Sequence, residues 1–373
     1  MISPAYDALL IVSFGGPEGP EEVMPFLENV LRGKNVPRER MLAVAEHYRK
    51  FGGVSPINAQ NRALIAALRE ELDAHGPRLP IYFGNRNWRP MLADTLRQMT
   101  ADGIRYAAAF FTSAYSSYSG CRQYRENIAV AQAEVGPGAP QIDKLRVFYN
   151  HPGFIEPMIE RVAAAFERIP AERRAAAGLV FTAHSIPLAM SQGCRYEEQL
   201  REASRLVAAG VGRGSLLEKG TGTSTQRENH GDTSGLLGAS PLFQQAGGGW
   251  DLVYQSRSGP PSQPWLEPDI GEWLEKAHTA GMRDVVVAPI GFISDHLEVV
   301  YDLDYEAQER CAALGLNMER AATVGTHPRF VRMIRELLVE RMTPGADRLA
   351  LGDFGPSHDV CPIDCCSIAQ RRI

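Results

Sequence analysis

An excess of basic residues is the first thing missing. The 373-residue chain carries 39 Lys and Arg against 44 Asp and Glu, a net charge of −5. General binding of nucleic acid requires a basic face, so that class is excluded. Long apolar runs are missing too: nowhere do about 18 apolar residues follow one another, the minimum for a membrane-spanning helix. The opening stretch, MISPAYDALLIVSFGG, has no basic leader and runs straight into a strand pattern. It is not expected to be a secretory signal, and the expected location is the cytoplasm. Cysteine is scarce and unevenly spread. Of six, Cys361, Cys365 and Cys366 crowd together near the C-terminus, while Cys121, Cys194 and Cys311 are dispersed. Adjacent cysteines such as Cys365 and Cys366 rarely close a relaxed disulfide. In a cytosolic chain the crowding reads as thiolate ligation of a metal rather than a disulfide framework.

What is present is a regular alternation of apolar runs and helix-period stretches. Strands are expected at 8–16, 80–85, 105–113 and 144–150, then at 178–185, 250–256, 284–292 and near 318–325. Helical patterns separate them, so the strands belong to parallel sheets with crossover helices. Two such runs of similar length predict an α/β protein of two doubly wound domains with a central cleft. The boundaries fall at 1–143 and 144–342, with a cysteine-containing tail over 343–373. Residues 214–249 are rich in Gly, Ser and Thr and lack a sustained period. They stand where a short connection is normal and read as an exposed, disordered insertion. The tail also lacks periodicity and is expected to be loose unless something ties it down.

Two histidine motifs each follow a predicted strand. GLVFTAHSIP ends in His184 and its neighbours, and DVVVAPIGFISDHLEVVYDLD contains His296. Parallel sheets bind ligands at the carboxyl ends of their strands, so both histidines lie where chemistry is usually done. A histidine there either caps the next helix or accepts protons and binds metal. Glu298, Asp302 and Glu306 are four apart and share one face of a helix, as a site for protons or a cation or as a solvated face. On a regular helix His296, two residues before Glu298, points away from it, and it is read as structural.

Seven segments, in order, resemble the ferrochelatase family: VSFGGPEGPEEVMPFLENV, FGGVSPIN, FGNRNW, SAYSSYSGCRQY, FTAHSIP, VYQSRSGPPSQPWLEP and PIGFISDHLEVVYDLD. Within the family they are most similar to the actinobacterial coproporphyrin III branch. The likeness covers nearly all of residues 6–342 apart from the insertion. It implies two Rossmann-like domains (the type II chelatase fold) and insertion of Fe²⁺ into coproporphyrin III to give coproheme in haem synthesis. Other readings are a protoporphyrin IX enzyme, a chelatase for another tetrapyrrole such as sirohydrochlorin, and a non-catalytic haem or metal carrier.

The same resemblance assigns residues. His184 is the metal-site imidazole, Glu298 faces it across the cleft, and Asp302 and Glu306 extend a proton or iron path. Ser55, Tyr124, Tyr48 and Arg32 fall at porphyrin-binding positions, an arginine suiting a propionate. Several bacterial relatives place a tyrosine at the end of the first strand. Here Phe14 stands there and cannot ligate. The actinobacterial cysteine pattern implies a [2Fe–2S] cluster on Cys121, Cys361, Cys365 and Cys366. Four thiolates also suit zinc. Cys194 is the alternative internal ligand, and Cys311 is expected in the core. Porphyrin and Fe²⁺ are the expected partners of a monomer, with transient contacts to neighbouring haem-pathway enzymes.

Overall fold

The computed structural model describes residues 5–34, 36–212, 249–259 and 262–367. The predicted insertion at 214–249 therefore lies almost wholly outside the described residues. The first sheet has the order β2-β1-β3-β4, built from β1 (Ala8–Ser13), β2 (Ile81–Asn85), β3 (Tyr106–Phe111) and β4 (Gln141–Lys144). Its helices are α1 (Val23–Val30), α2 (Arg38–Lys50), α3 (Ile57–His75), α4 (Leu92–Ala101) and α5 (Gln123–Val135). The second sheet repeats the pattern as β6-β5-β7-β8, with β5 (Gly178–His184), β6 (Trp250–Gln255), β7 (Asp284–Ala288) and β8 (Asn317–Arg320). Around it lie α6 (Pro152–Glu167), α7 (Ala171–Arg174), α8 (Leu188–Ser191), α9 (Tyr196–Gly210), α10 (Ile270–Thr279), α11 (Leu297–Val299), α12 (Gln308–Leu314) and α13 (Pro328–Met342). All strand pairs are parallel. The central strands ALLIVS and DVVVA are buried at every residue, as expected where helices cover both faces of a parallel sheet.

The sequence reading of the fold class holds, with two local corrections. A strand was expected over 144–150, yet β4 stops at Lys144. After Leu145, whose N–H still bonds the Ala109 carbonyl of β3 (2.8 Å), Val147, Phe148 and Tyr149 are buried in the core without strand pairing, so the run is apolar because it crosses the interior. The helix expected over 296–315 is not regular either. Between α11 and α12 it becomes a π-helix over Val300–Ala307. Among the described residues, no helix is long and apolar enough to cross a membrane.

In each sheet the chain reverses direction beside the first strand, between β1 and β3 and between β5 and β7. Such switch points open a crevice at the carboxyl ends of the strands. The two sets of carboxyl ends meet. Tyr115, just after β3, donates its hydroxyl to the Ile290 carbonyl just after β7 (2.8 Å). Gln60 of α3 exchanges two hydrogen bonds with the backbone of Asp295 (2.8 and 3.0 Å).

Candidate active site

His184 is the last residue of β5, paired in register with Gln255 of β6, and Tyr196 donates its hydroxyl to the His184 carbonyl (3.1 Å). Its Nδ1 lies 2.5 Å from the Ser185 carbonyl. A carbonyl only accepts, so Nδ1 carries the proton and Nε2 is left with a free lone pair when the ring is neutral. That Nε2 stands 3.7 Å from Oε1 of Glu298, an ion-pair contact longer than a hydrogen bond. Glu298 comes from the first turn of α11, where a carboxylate complements the helix N-terminus. Both side chains remain accessible, 31% and 51%, although protein packs around them, as at the floor of a cleft.

His296 does not point away from Glu298. It precedes the helix rather than lying in it, and its Nδ1 accepts from the Glu298 backbone N–H (3.2 Å) while lying 3.9 Å from Oε2. Capping folds the ring back over the carboxylate, a geometry that helical spacing cannot describe. The three groups set one another's charge. Burial opposes protonation of His184, but the Glu298 carboxylate outweighs it and raises the histidine. Burial likewise opposes the Glu298 charge, yet His184 and His296 hold that carboxyl down at about 2. Burial lowers His296, with His184 adding to the effect and Glu298 resisting it.

Asp302 lies one step further along the π-helix. Gln255 Nε2 reaches its Oδ2 (3.4 Å) and the Glu298 carbonyl (3.2 Å), and Ser256 donates a short hydrogen bond to the same Oδ2. Ser256 holds a left-handed backbone, φ 62°, at some cost for a residue with a Cβ. Burial lifts the Asp302 carboxyl to about 7; the Ser256 bond opposes this and the charges of Glu298 and Glu306 add to it. Glu306 is exposed and interacts with Tyr301 and His47. Sequence reasoning gave no role to Gln255 and Ser256, although both stand at a strand end and within the segment VYQSRSGPPSQPWLEP.

The remaining predicted positions divide. Tyr48, on α2, is raised by burial and by the Glu298 charge, so it belongs to this site. Ser55 is buried, and its side chain fills the space that a Cβ on Gly16 would need. Phe14 exposes 37% of its surface at the end of β1 and meets Phe26 edge-on (6.3 Å). Arg32 is exposed in the turn after α1. Tyr124 packs its ring on Phe111 in the first sheet's core, beneath the Arg86 guanidinium (4.4 Å), which also lies over Phe14 (5.8 Å).

Residues 6–342 match the ferrochelatase family. The chain belongs to that family. It is 55% identical to the ferrochelatase of Rhodopirellula baltica over 99% of this chain and 95% of that one. It is 49% identical to the coproporphyrin III ferrochelatase of Streptomyces griseus (97% and 93% covered) and 50% to that of Streptomyces coelicolor (98% and 95%). As a ferrochelatase it is a lyase of haem synthesis with Fe²⁺ as a substrate.

This ferrochelatase also gathers cysteines from opposite ends of its chain. Cys121 lies on the π-turn before α5 (Tyr118–Arg122) and interacts with Cys361 and Cys366. Those two neighbours, helped by Lys144 and Arg125, draw the Cys121 thiol below its usual range. The Cys121 neighbour and burial raise Cys361 and Cys366. Cys365 Sγ is 3.7 Å from Cys366 Sγ and 3.7 Å from His358 Nε2. His358 was missed, although its place three residues before Cys361 (H-x-x-C) is a ligand-like signal. Cys311 is buried in the core, and Cys194 donates to the Met190 carbonyl (3.2 Å).

Proposed function

We propose that the enzyme inserts Fe²⁺ into coproporphyrin III between His184 and Glu298. The observation that carries this reading is the 3.7 Å separation of His184 Nε2 and Glu298 Oε1. An ion about 2.1 Å from each atom would subtend roughly 120° there, a relaxed geometry for mixed N and O ligands. The choice of porphyrin is supported by relatives named coproporphyrin III ferrochelatase at about half identity across nearly the whole chain.

Metallation exchanges two pyrrole protons for one dication, so the site must accept protons as iron arrives. An incoming Fe²⁺ competes with the imidazolium for Glu298 and favours the neutral ring. As iron passes from Nε2 to the ring nitrogens, the lone pair it vacates accepts one pyrrole proton, hands it on, and then accepts the second. Glu298 stays ionised and balances the charge of the dication. Asp302, near neutrality in its affinity for protons, takes them onward, with Glu306 at the exposed end of the path. Tyr48 and Ser55 line the macrocycle, Arg32 offers a guanidinium for a propionate, and Tyr124 acts through Arg86. In this reading 1–143 and 144–342 are the two Rossmann-like units, and 343–373 is the tail. The enzyme is a cytoplasmic monomer with only passing contacts to its pathway neighbours.

The tail thiols fit a [2Fe–2S] cluster held by Cys121, Cys361, Cys365 and Cys366, because Cys121 interacts with the tail cysteines from the other end of the chain and the Cys365 and Cys366 sulfurs stand 3.7 Å apart. When bound, the cluster supplies a cross-link between the first sheet's helix layer and the tail. The deciding experiment is anaerobic incubation with Fe²⁺ and either coproporphyrin III or protoporphyrin IX, followed by absorbance. Metalloporphyrin should form faster from coproporphyrin and drop at least about a hundredfold in His184→Ala. Undiminished turnover by that variant would sink the assignment.

A further inference from the structure

An imidazole joins the cysteines at the tail. The ligand atoms of His358, Cys361 and Cys365 all lie within 4.8 Å of one another, and the four-cysteine cluster leaves this imidazole without a task. A single soft divalent ion takes four donors around one centre and accepts mixed sulfur and nitrogen sets. With bonds of about 2.3 Å to sulfur and 2.05 Å to nitrogen, tetrahedral ligands stand roughly 3.6 Å (S···N) and 3.8 Å (S···S) apart. The His358–Cys365 separation is 3.7 Å. A cavity of about 550 Å³, bordered by Cys194, Arg195, Phe354, His358 and Cys365, gives the site an entry path. Arg122 fixes the approach by donating to the Ile363 and Cys365 carbonyls (3.1 and 3.3 Å).

We propose that this site also accepts a single zinc-class ion through His358 Nε2 and the thiolates of Cys361 and Cys365, with solvent at its fourth position. The inference rests on the tail thiols being metal ligands, but not on the cluster. It would hold the tail's own 358–365 segment together when iron and sulfide are scarce.

The test uses the full-length chain, purified anaerobically, stripped with chelator and titrated with Co²⁺ as a coloured substitute. The thiolate-to-metal charge-transfer band reports only thiolate-bound ion, so Co²⁺ at His184 and Glu298 does not interfere. One Co²⁺ per chain should give this band and be displaced by Zn²⁺. His358→Ala should weaken binding at least about tenfold and shift the visible bands. The same variant, reconstituted with iron and sulfide, should keep two irons per chain and the cluster's absorption. An unchanged Co²⁺ affinity and spectrum in His358→Ala would overturn the proposal, as would loss of the cluster in that variant. A wild type that builds no cluster but binds Co²⁺ through His358 would sink the cluster reading and support this one.

Discussion

At neutral pH Asp302 is poised between its two protonation states, since burial and the neighbouring acids lift its carboxyl to about 7. In the unfolded chain it titrates near 3.8, so between those values the folded protein holds a proton that the unfolded one has lost. Its contribution to stability is therefore complete below about pH 4 and lost as pH rises through 7, on the order of 1.4 kcal/mol per pH unit. Asp302→Asn should stabilise the enzyme at pH 8 by a few kcal/mol, measured by urea unfolding. It should also remove the limb of the pH–rate profile near 7, because an amide passes no protons; a profile that keeps its limb would free Asp302 of that role. Strand ends and helical spacing made His184 and Glu298 candidates, but that they face each other was implied only by the family resemblance. His296 was misplaced because a residue that caps a helix does not obey the helix's angular period. His358 was passed over because the tail around it has no period at all.

The π-helix over Val300–Ala307 binds its neighbours through rings. His47 of α2 stacks on Tyr301 (3.8 Å, 9° between planes), and the Lys50 ammonium sits over Tyr305 (4.0 Å). This clasp ties α2, which carries Tyr48, to the segment that carries Asp302 and Glu306. Tyr301→Ala removes a stack worth about 0.5–1.5 kcal/mol, so we expect KM for the porphyrin to rise roughly 2- to 10-fold with kcat little changed. A fall in kcat at constant KM would mean that the ring serves the chemistry instead. Most elements were readable because parallel strands are continuous apolar runs and their helices keep one apolar face. Over 145–150 that logic misled, since burial there comes from crossing the core rather than from pairing. The π-segment was invisible because its apolar residues Tyr301, Leu303 and Ala307 fit an α-helical pattern almost as well.

Across the whole molecule, α13 joins what the sequence order separates. It follows β8 directly, yet it packs on α3 as well as α6, with Arg335 on Glu71 and Arg341 on Asp143 (2.8 and 3.0 Å). The centre of this join is Arg146, 1% exposed, which makes two hydrogen bonds to Glu340 of α13 (2.8 and 2.9 Å) and one to the Leu349 carbonyl (2.8 Å). Asn150 continues the seam by donating to the Leu351 and Gly355 carbonyls (3.2 and 2.9 Å). The aperiodic tail is thus held along its length by side chains before it reaches the cysteines. Removing one partner of a buried pair strands the other charge, which costs about 3–5 kcal/mol, whereas replacing both with apolar groups is often neutral. Arg146→Leu should therefore lower the urea midpoint sharply, and Arg146→Leu with Glu340→Leu should recover most of it. In the double variant Arg348 still has Asp359 (3.3 Å), so no second charge is stranded. Tail attachment is a separate reading of the same two proteins. If the pair serves mainly to dock residues 343–367, the double variant recovers its midpoint but becomes sensitive to proteolysis in the tail, because the bond to Leu349 is gone. If it serves mainly to set α13 against α3, the tail of the double variant is cleaved no faster than that of the wild type.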